Sequence, residues 1–188
     1  MDRRLIKISK YLSYHLRHRP DLLGLKLAPG GWVEVDRFLA AANRHNFSLT
    51  ETELKQVVEQ NDKQRFSFND WGNLIRANQG HSVTVNLQLK PIAPPKILYH
   101  GTHRSVVSAI QKRGLRKMNR HHVHLSADIA TAISVGARRG DPVIFQIDAL
   151  KMSQANYQFY RSENGVWLTE FVPVTYLKIV NSEPVEPS

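Results

Sequence analysis

Two short segments in the first half of the chain carry side chains suited to gripping a phosphate. Arg17 and His18 are adjacent at a predicted helix end, where arginine offers a fixed fork of donors and histidine a proton that moves near pH 7. Residues 76–82 combine a guanidinium, two amides, an imidazole and a hydroxyl, which suits a phosphodiester and its sugar hydroxyls. On these residues alone, helix-end charge and a polar turn stay open as ordinary explanations.

Two segments of the second half combine a predicted strand with polar side chains. Residues 100–102, His-Gly-Thr, follow a buried strand, and their glycine allows close backbone approach to a ligand while the threonine supplies a hydroxyl. Residues 122–126 alternate, so that His122, His124 and Ser126 share one strand face and the apolar residues share the other. A polar strand that faces a ligand is the favoured interpretation. An ordinary turn and a surface histidine cluster are the alternatives.

The sequence also excludes several common kinds of active site. It contains no cysteine, which removes disulfides, thiolate zinc sites and cysteine nucleophiles. It has no glycine-rich phosphate loop of either standard spacing, no His-Glu-x-x-His and no Gly-x-Ser-x-Gly elbow. No carboxylate lies near the histidines of residues 121–124, so no bound metal is expected.

The charge balance indicates a polyanionic partner. The 188 residues include 26 lysines and arginines against 16 acids, a net charge of +10, and nucleic acid is the usual counterpart of such a protein. From Arg104 to Arg139, eight basic residues accompany one acid, Asp128. A basic surface that is merely solvated is the alternative. No apolar run is long enough to span a bilayer and the N-terminus has no apolar signal core, so we expect a cytoplasmic protein with no membrane partner.

The first half is predicted to form three helices and a few short strands. Helices are expected over about residues 8–16, ended by Pro20, then from a cap at Asp36 to about residue 43, and then from a capping box formed by Thr50 and Glu53. Three helices with a small strand pair outline a winged helix. The predicted strands of this half are 32–35, 65–68 and 82–87.

The second half is richer in strands and is predicted to be α+β. Three prolines among residues 91–95 mark a linker, because proline cannot continue a helix or a central strand. The predicted domains are a first lobe at 1–90, a linker at 91–96, a second lobe at 97–182 and a tail at 183–188. Helices are expected at 104–112 and 128–135, and a mostly antiparallel sheet at 97–100, 123–126, 143–147, 159–160, 166–169 and 177–180.

Taken in order, these motifs resemble those of the RNA 2'-phosphotransferase family. The resemblance spans nearly the whole chain, from about Ser9 to Trp167. Its specific segments are 9–18 (Ser-Lys-Tyr-Leu-Ser, then Leu-Arg-His), 76–82, 98–102 (Leu-Tyr-His-Gly-Thr) and 120–126 (Arg120, then His-Val-His-Leu-Ser), with weaker support at 62–66, 135–140 and 163–168.

The resemblance implies a winged-helix lobe that binds RNA, followed by an ADP-ribosyltransferase-like, mostly antiparallel β lobe that binds NAD. It implies an enzyme that removes an internal 2'-phosphate from RNA, such as one at a tRNA splice junction. The phosphate first displaces nicotinamide from NAD, which gives ADP-ribosylated 2'-phospho-RNA. A ribose hydroxyl then attacks the phosphorus, which gives 2'-OH RNA and ADP-ribose 1'',2''-cyclic phosphate. NAD is thus a co-substrate, no metal is required, and a monomer acting on tRNA-like RNA is expected.

The family's site residues match positions of this sequence. Arg17, Arg76 and Arg120 match its catalytic arginines and are expected to clamp phosphate and stabilise transition-state charge. His18 matches the catalytic histidine and is expected to contact phosphate and transfer a proton. The positions expected to bind NAD are His100, Gly101, Thr102, His124, Ser126, Arg138 and Arg139, and those expected to contact the RNA backbone are Lys10 and Arg65.

Two other functions stay open at this stage. A transferase that caps terminal phosphates or modifies protein would share the NAD lobe but keep the ADP-ribose adduct. Arg17, His18 and Arg76 argue against it, because a simple transfer has no second step to stabilise. A non-catalytic RNA-binding module would bind RNA without releasing nicotinamide, and it leaves residues 100–102 and 122–124 unexplained.

Overall fold

The computed structural model describes residues 2–61 and 63–180, apart from the side chain of Arg139. The chain divides into two compact units, Met1–Leu89 and Lys90–Ser188. Helices occur together with antiparallel sheets in both units, which confirms the predicted α+β class. The tail predicted at 183–188 lies outside the described residues.

The first unit contains three helices and one small sheet. The helices are α1 (Arg3–Arg17), α2 (Val35–Arg44) and α3 (Glu51–Glu59). The strands are β1 (Val33–Glu34), β2 (Phe66–Phe68) and β3 (Leu74–Ala77), which pair antiparallel in the order β1-β3-β2. Short 3-10 turns occur at Pro20–Leu23 and Pro29–Gly31.

Helix α1 packs one apolar face into the core of this unit. Ile8, Leu12 and Leu16 recur every four residues and are fully buried, because that spacing keeps side chains on one helical face. They share the core with apolar residues of α2, α3 and β3. The opposite face of α1 is therefore left to solvent, and it carries the polar residues described below.

The structure confirms the predicted start of α3 and corrects that of α2. Thr50 and Glu53 form a complete capping box, in which the Thr50 hydroxyl accepts from the Glu53 amide and the Glu53 carboxylate accepts from the Thr50 amide. In α2 the residue before the helix is Glu34, and Asp36 lies inside the first turn. The predicted cap at Asp36 is therefore wrong, because the strand ends at Glu34 and the chain turns helical at once.

Glu53 is expected to make the stability of the first unit depend on acid pH. Its hydrogen bond with Arg4, at 2.8 Å, and its capping bond lower the pKa of the carboxyl from 4.5 to about 2. A carboxyl with a lowered folded-state pKa stabilises the fold above its unfolded pKa and loses that contribution as pH falls towards the folded value. The free energy of unfolding in urea is therefore expected to fall between pH 4.5 and 2.

Glu53→Gln should weaken that dependence, because the amide does not titrate. Thr52→Ala, an exposed substitution in the same helical turn, is the matched control and should leave the dependence unchanged. A Glu53→Gln protein with the wild-type pH profile would contradict the assignment.

One predicted strand of the first unit is wrong and one strand was missed. Residues 82–87 are not a strand, although their side chains alternate between exposed and half-buried as predicted. Their backbone bonds elsewhere: the Ser82 amide donates to the carbonyl of Arg17, and the Asn86 carbonyl accepts from Gly30. The central strand of the sheet is instead β3, which was not predicted and whose last two residues begin the polar run of residues 76–82.

The second unit alternates strands with short helices. Its helices are α4 (Val107–Arg113), α5 (Ile129–Gly136) and α6 (Ala149–Gln154). Its strands are β4 (Ile97–His103), β5 (Leu115–Arg116), β6 (Val123–Leu125), β7 (Pro142–Asp148), β8 (Phe159–Arg161), β9 (Trp167–Thr169), β10 (Phe171–Val172) and β11 (Leu177–Val180). Among the helices in the described part of the chain, none is long and apolar enough to cross a membrane.

The strands of the second unit form three small sheets where one was predicted. Their orders are β11-β7-β4, β6-β9-β8 and β10-β5, and every pairing is antiparallel as expected. The first two sheets meet where Tyr99 and Ser126 exchange backbone hydrogen bonds of 2.9 and 2.7 Å. This junction places the end of β6 beside the middle of β4.

Candidate functional site

A polar groove of about 600 Å³ runs along the outer face of α1 in the first unit. Its volume lies within the range of small-ligand sites. Among the described residues that line it none is acidic, and four carry or can carry a positive charge. The lining residues are Ile6, Ser9, Lys10, Ser13, Tyr14, His18, Asn61, Lys63 and Arg65.

The helical repeat explains why α1 contributes most of the groove. Lys10, Tyr14 and His18 follow one another at intervals of four residues, which places them on one face about one turn apart. That face is opposite the buried stripe of the helix. The structure therefore brings together Lys10, His18 and Arg65, three residues that the sequence assigned to RNA contact or catalysis.

His18 is held in place by the segment that follows the sheet. Its Nδ1 shares a hydrogen bond of 2.9 Å with the hydroxyl of Ser82. The Ser82 amide in turn donates to the carbonyl of Arg17, also at 2.9 Å. The irregular segment after residue 81 thus fixes the imidazole at the end of α1, where it can contact an anion in the groove.

Asn61 organises the basic side of the groove, and the sequence analysis missed it. The side chain is 2% exposed. Its amide nitrogen donates to the Ser9 hydroxyl at 3.2 Å, while its oxygen accepts from Nη1 of Arg65 at 3.0 Å and from the Lys63 amide at 3.2 Å. One buried side chain therefore ties α1 to the segment that carries both cations. In the sequence Asn61 is one of several consecutive polar residues after a helix, and nothing local predicts its burial.

Arg17 and Arg76 are not among the described residues that line the groove. The Arg17 guanidinium sits over the Phe66 ring at 5.8 Å and donates to the Arg65 carbonyl at 3.5 Å. Arg76 extends from β3 over the Trp32 ring, with Cζ 4.3 Å from its centroid, and donates to the Gly30 carbonyl at 3.4 Å. Their expected contact with phosphate stays a prediction.

Asn61→Ala is expected to weaken RNA binding more than it slows turnover. Without the amide oxygen the Arg65 fork loses its support, and we expect KM for RNA to rise about tenfold, the equivalent of one hydrogen bond to a charged group. Steady-state kinetics with varied RNA would measure this.

Asn43→Ala is the matched control for this substitution. Asn43 also holds a loop through its side chain, which donates to the Leu39 and Leu49 carbonyls and accepts from the Leu49 amide, and it does not line the groove. If both alanine variants raised KM for RNA equally, the effect would be loss of stability and not of groove geometry.

In the second unit, three of the predicted site residues form a chain of contacts. His100 donates from Nδ1 to the carbonyl of His124 at 2.9 Å, and Nη1 of Arg120 donates to Nδ1 of His124 at 3.1 Å. Burial lowers the pKa of His100, and the nearby charge of Arg120 acts in the same direction. His100 is therefore neutral at pH 7, with its proton on Nδ1 and an acceptor at Nε2.

Gly101 has a different structural reason from the one the sequence suggested. A Cβ at this position would lie 1.7 Å from the carbonyl oxygen of Ala132 on α5, so the glycine permits close packing of strand and helix. The expected approach of NAD to Gly101 stays a prediction. Thr102 is buried beside it, and Ser126 is tied to β4 through its backbone.

The remaining predicted positions are less informative. Arg138 is exposed in the 3-10 turn after α5, and the side chain of Arg139 lies outside the described residues. Among the residues that the structure describes, no group of three or more histidine, aspartate or glutamate side chains could hold a metal ion.

Comparison with known sequences assigns the chain to a family. The sequence model described as RNA 2'-phosphotransferase, Tpt1/KptA family, matches residues 3–171. A probable RNA 2'-phosphotransferase of Nostoc punctiforme is 60% identical over 94% of this chain and 98% of its own length. Proteins of the same description from Streptomyces coelicolor and Burkholderia pseudomallei are 53% and 52% identical, over 93% and 92% of this chain and 95% and 94% of their own lengths. With its motifs in order along nearly its whole length, the chain belongs to the RNA 2'-phosphotransferase family.

Proposed function

We propose that this protein removes an internal 2'-phosphate from RNA by transferring it to NAD. The products are 2'-OH RNA, nicotinamide and ADP-ribose 1'',2''-cyclic phosphate. Family membership supports the phosphotransferase activity. The observation that carries the proposal is the groove of the first unit, where Lys10, His18, Lys63 and Arg65 converge and the described lining includes no acid. A cavity with this charge suits a substrate that is an anion at every nucleotide.

We assign RNA binding to the first unit and regard it as a winged-helix lobe. Three helices and a three-stranded antiparallel sheet support that description. The groove cations Lys10, Lys63 and Arg65 would hold the 2'-phosphate and its neighbouring phosphodiesters. We place Arg17 next to them, because it bonds the carbonyl of Arg65 at the base of the same segment. Arg76, which packs on Trp32 and bonds Gly30, is proposed to clamp phosphate as the matching arginine of the family does.

We assign NAD binding to the second unit, as an ADP-ribosyltransferase-like lobe. The donor set fits a dinucleotide, because the half-buried neutral imidazole of His100 suits a sugar hydroxyl and the exposed guanidinium of Arg120 suits a phosphate. His100 would accept from a ribose hydroxyl through Nε2, while His124 and Arg120 lie beside it. Bound NAD would supply an anomeric carbon that carries a good leaving group. The further positions proposed to hold it are Gly101, Thr102, Ser126, Arg138 and Arg139.

The chain's own residues then have two tasks. The first is to hold an anionic phosphate against an electron-poor carbon, which needs mainly positioning. The second is to stabilise charge during phosphoryl transfer and to protonate the departing 2'-oxygen of the RNA. We assign charge stabilisation to Arg17, Arg76 and Arg120, with Arg65 of the groove beside them, and the proton to His18, which Ser82 orients.

A single incubation tests the proposed function. The protein is mixed with a short RNA that carries one internal 2'-phosphate, with and without NAD and with EDTA present, and all products are resolved by mass. We expect loss of the phosphate only with NAD, together with nicotinamide and ADP-ribose cyclic phosphate. A stable ADP-ribosyl adduct on the RNA would indicate a capping transferase. Tight RNA binding without reaction would indicate a binding module.

A further inference from the structure

Tyr14 is an aromatic side chain that the proposed chemistry does not use. It lies in the middle of the groove face of α1, one turn after Lys10 and one turn before His18. Its side chain is 46% exposed, although large apolar and aromatic residues of this unit are otherwise mostly packed in the core. Packing of the fold does not explain why an aromatic ring is exposed in a concave, positively charged cavity.

The groove around Tyr14 has the features of a site that binds an extended single strand of nucleic acid. Lys10 lies on its own helix, and Lys63 and Arg65 come from the other wall of the same groove. Proteins hold single-stranded nucleic acid by combining cations along the backbone with aromatic rings on which the bases stack. Both components are present within one cavity here.

The ring of Tyr14 is also held on one side. It meets the ring of the neighbouring His15 edge-on, with centroids 5.1 Å apart and planes at 81°. His15 is itself buried and donates from Nδ1 to the Arg19 carbonyl at 3.1 Å. A tyrosine supported in this way loses little conformational freedom when a planar ligand packs against it.

We propose that Tyr14 stacks on an unpaired base next to the 2'-phosphate, so that the groove selects RNA that is single-stranded at this nucleotide. The identity of the substrate in this inference rests on the proposed function. In an A-form duplex the bases are stacked on one another, and a side chain reaches a base face only where the strand is unpaired. The base itself is read by its face and not by its edge, so the site tolerates all four bases.

Matched RNAs test the stacking contact. Two 2'-phosphorylated oligonucleotides are compared. The normal strand has all its bases, and the abasic strand lacks the bases on both sides of the phosphate. Dissociation constants are measured by fluorescence anisotropy, and kcat/KM is measured with NAD. We expect the wild type to prefer the normal strand roughly 5- to 150-fold, the range that one stacked base provides. Tyr14→Ala should remove the preference and Tyr14→Phe should keep it.

Trp71→Ala is the control for loss of an exposed aromatic ring. Trp71 is 85% exposed in the turn between β2 and β3 and does not line the groove, so this variant should keep the wild-type preference. Annealing a complementary strand across the 2'-phosphate should weaken wild-type binding and leave Tyr14→Ala binding little changed.

The outcomes separate this inference from the proposed function. If Tyr14→Ala discriminates between the two strands as the wild type does, the stacking contact is wrong, whether or not the RNA is turned over. If the wild type turns over neither RNA but its binding depends on Tyr14 and on the flanking bases, the stacking contact stands and the proposed reaction fails. Circular dichroism of each variant confirms that the comparison is between folded proteins.

Discussion

Alanine at His18 is expected to make RNA with an ADP-ribosylated 2'-phosphate accumulate while nicotinamide is still released. The first step of the proposed reaction needs a phosphate held in place, and Lys10, Lys63 and Arg65 still supply that positive charge in the variant. The second step expels the 2'-oxygen of the RNA, and a nearby imidazole suits the proton transfer that this requires. We expect the second step to slow by about 10²–10⁴-fold.

Rapid-quench time courses with the RNA products resolved by mass would measure both steps. Ser82→Ala should show a smaller effect in the same direction, because it removes the hydroxyl that orients the His18 ring at 2.9 Å. His45→Ala, an exposed histidine of the same unit that does not line the groove, should behave as the wild type. Equal slowing of both steps in His18→Ala would contradict a role for this residue in the second step alone.

The parts of the fold that could be predicted from the sequence are those set by local physics. The stripe of Ile8, Leu12 and Leu16 predicts α1 because helical spacing and burial are both contained in a few residues. The capping box at Thr50 was predicted for the same reason, since both its hydrogen bonds lie within four residues.

The prediction failed where partners come from elsewhere in the chain. Residues 82–87 alternate as a strand does, but a ladder needs a second strand, and their backbone instead bonds the end of α1 and the turn at Gly30. The strand β3 has only four residues, Leu-Ile-Arg-Ala, which is too short a pattern to predict a strand. Its pairing with β1 and β2, from other parts of the chain, is what makes it one. The division into three sheets in the second unit is a long-range property of the same kind.

The residues of the candidate site also divide into those that the local sequence predicts and those that depend on tertiary packing. A charged or titratable residue is a candidate for phosphate binding by its type alone, and the sequence therefore indicated Lys10, His18 and Arg65. Asn61 was not named, because an asparagine after a helix is ordinary until tertiary packing buries it between three hydrogen-bond partners. Gly101 was named for close approach to a ligand, which stays a prediction, whereas its packing against α5 depends on the fold and was not predicted.

Alanine at Arg65 is expected to reduce kcat/KM for the RNA by about 10²–10³-fold, the usual effect of removing one preorganised donor from a developing charge. Arg65 is half-buried in the groove wall, and its Nη1 is fixed by Asn61 at 3.0 Å. Because Asn61 fixes one nitrogen of the guanidinium, the planar fork is held in a set direction, which favours contact with an anion. The loss should therefore appear in kcat as well as in KM, and KM for NAD should not change.

Two further variants separate charge from geometry at this position. Arg65→Lys keeps the positive charge, so the dependence of RNA binding on salt should match the wild type, whereas Arg65→Ala should lower the slope by about 0.7, the value for one phosphate on a single strand. Lysine has no fork with which to bond Asn61 and a phosphate together, so we expect Arg65→Lys to remain well below wild-type kcat.

Arg37→Ala removes an exposed arginine from α2, outside the groove, and is the control for net charge. Equal losses in Arg37→Ala and Arg65→Ala would show that the groove contributes only its general field, and full activity in Arg65→Lys would show that the contact with Asn61 does not matter for the reaction.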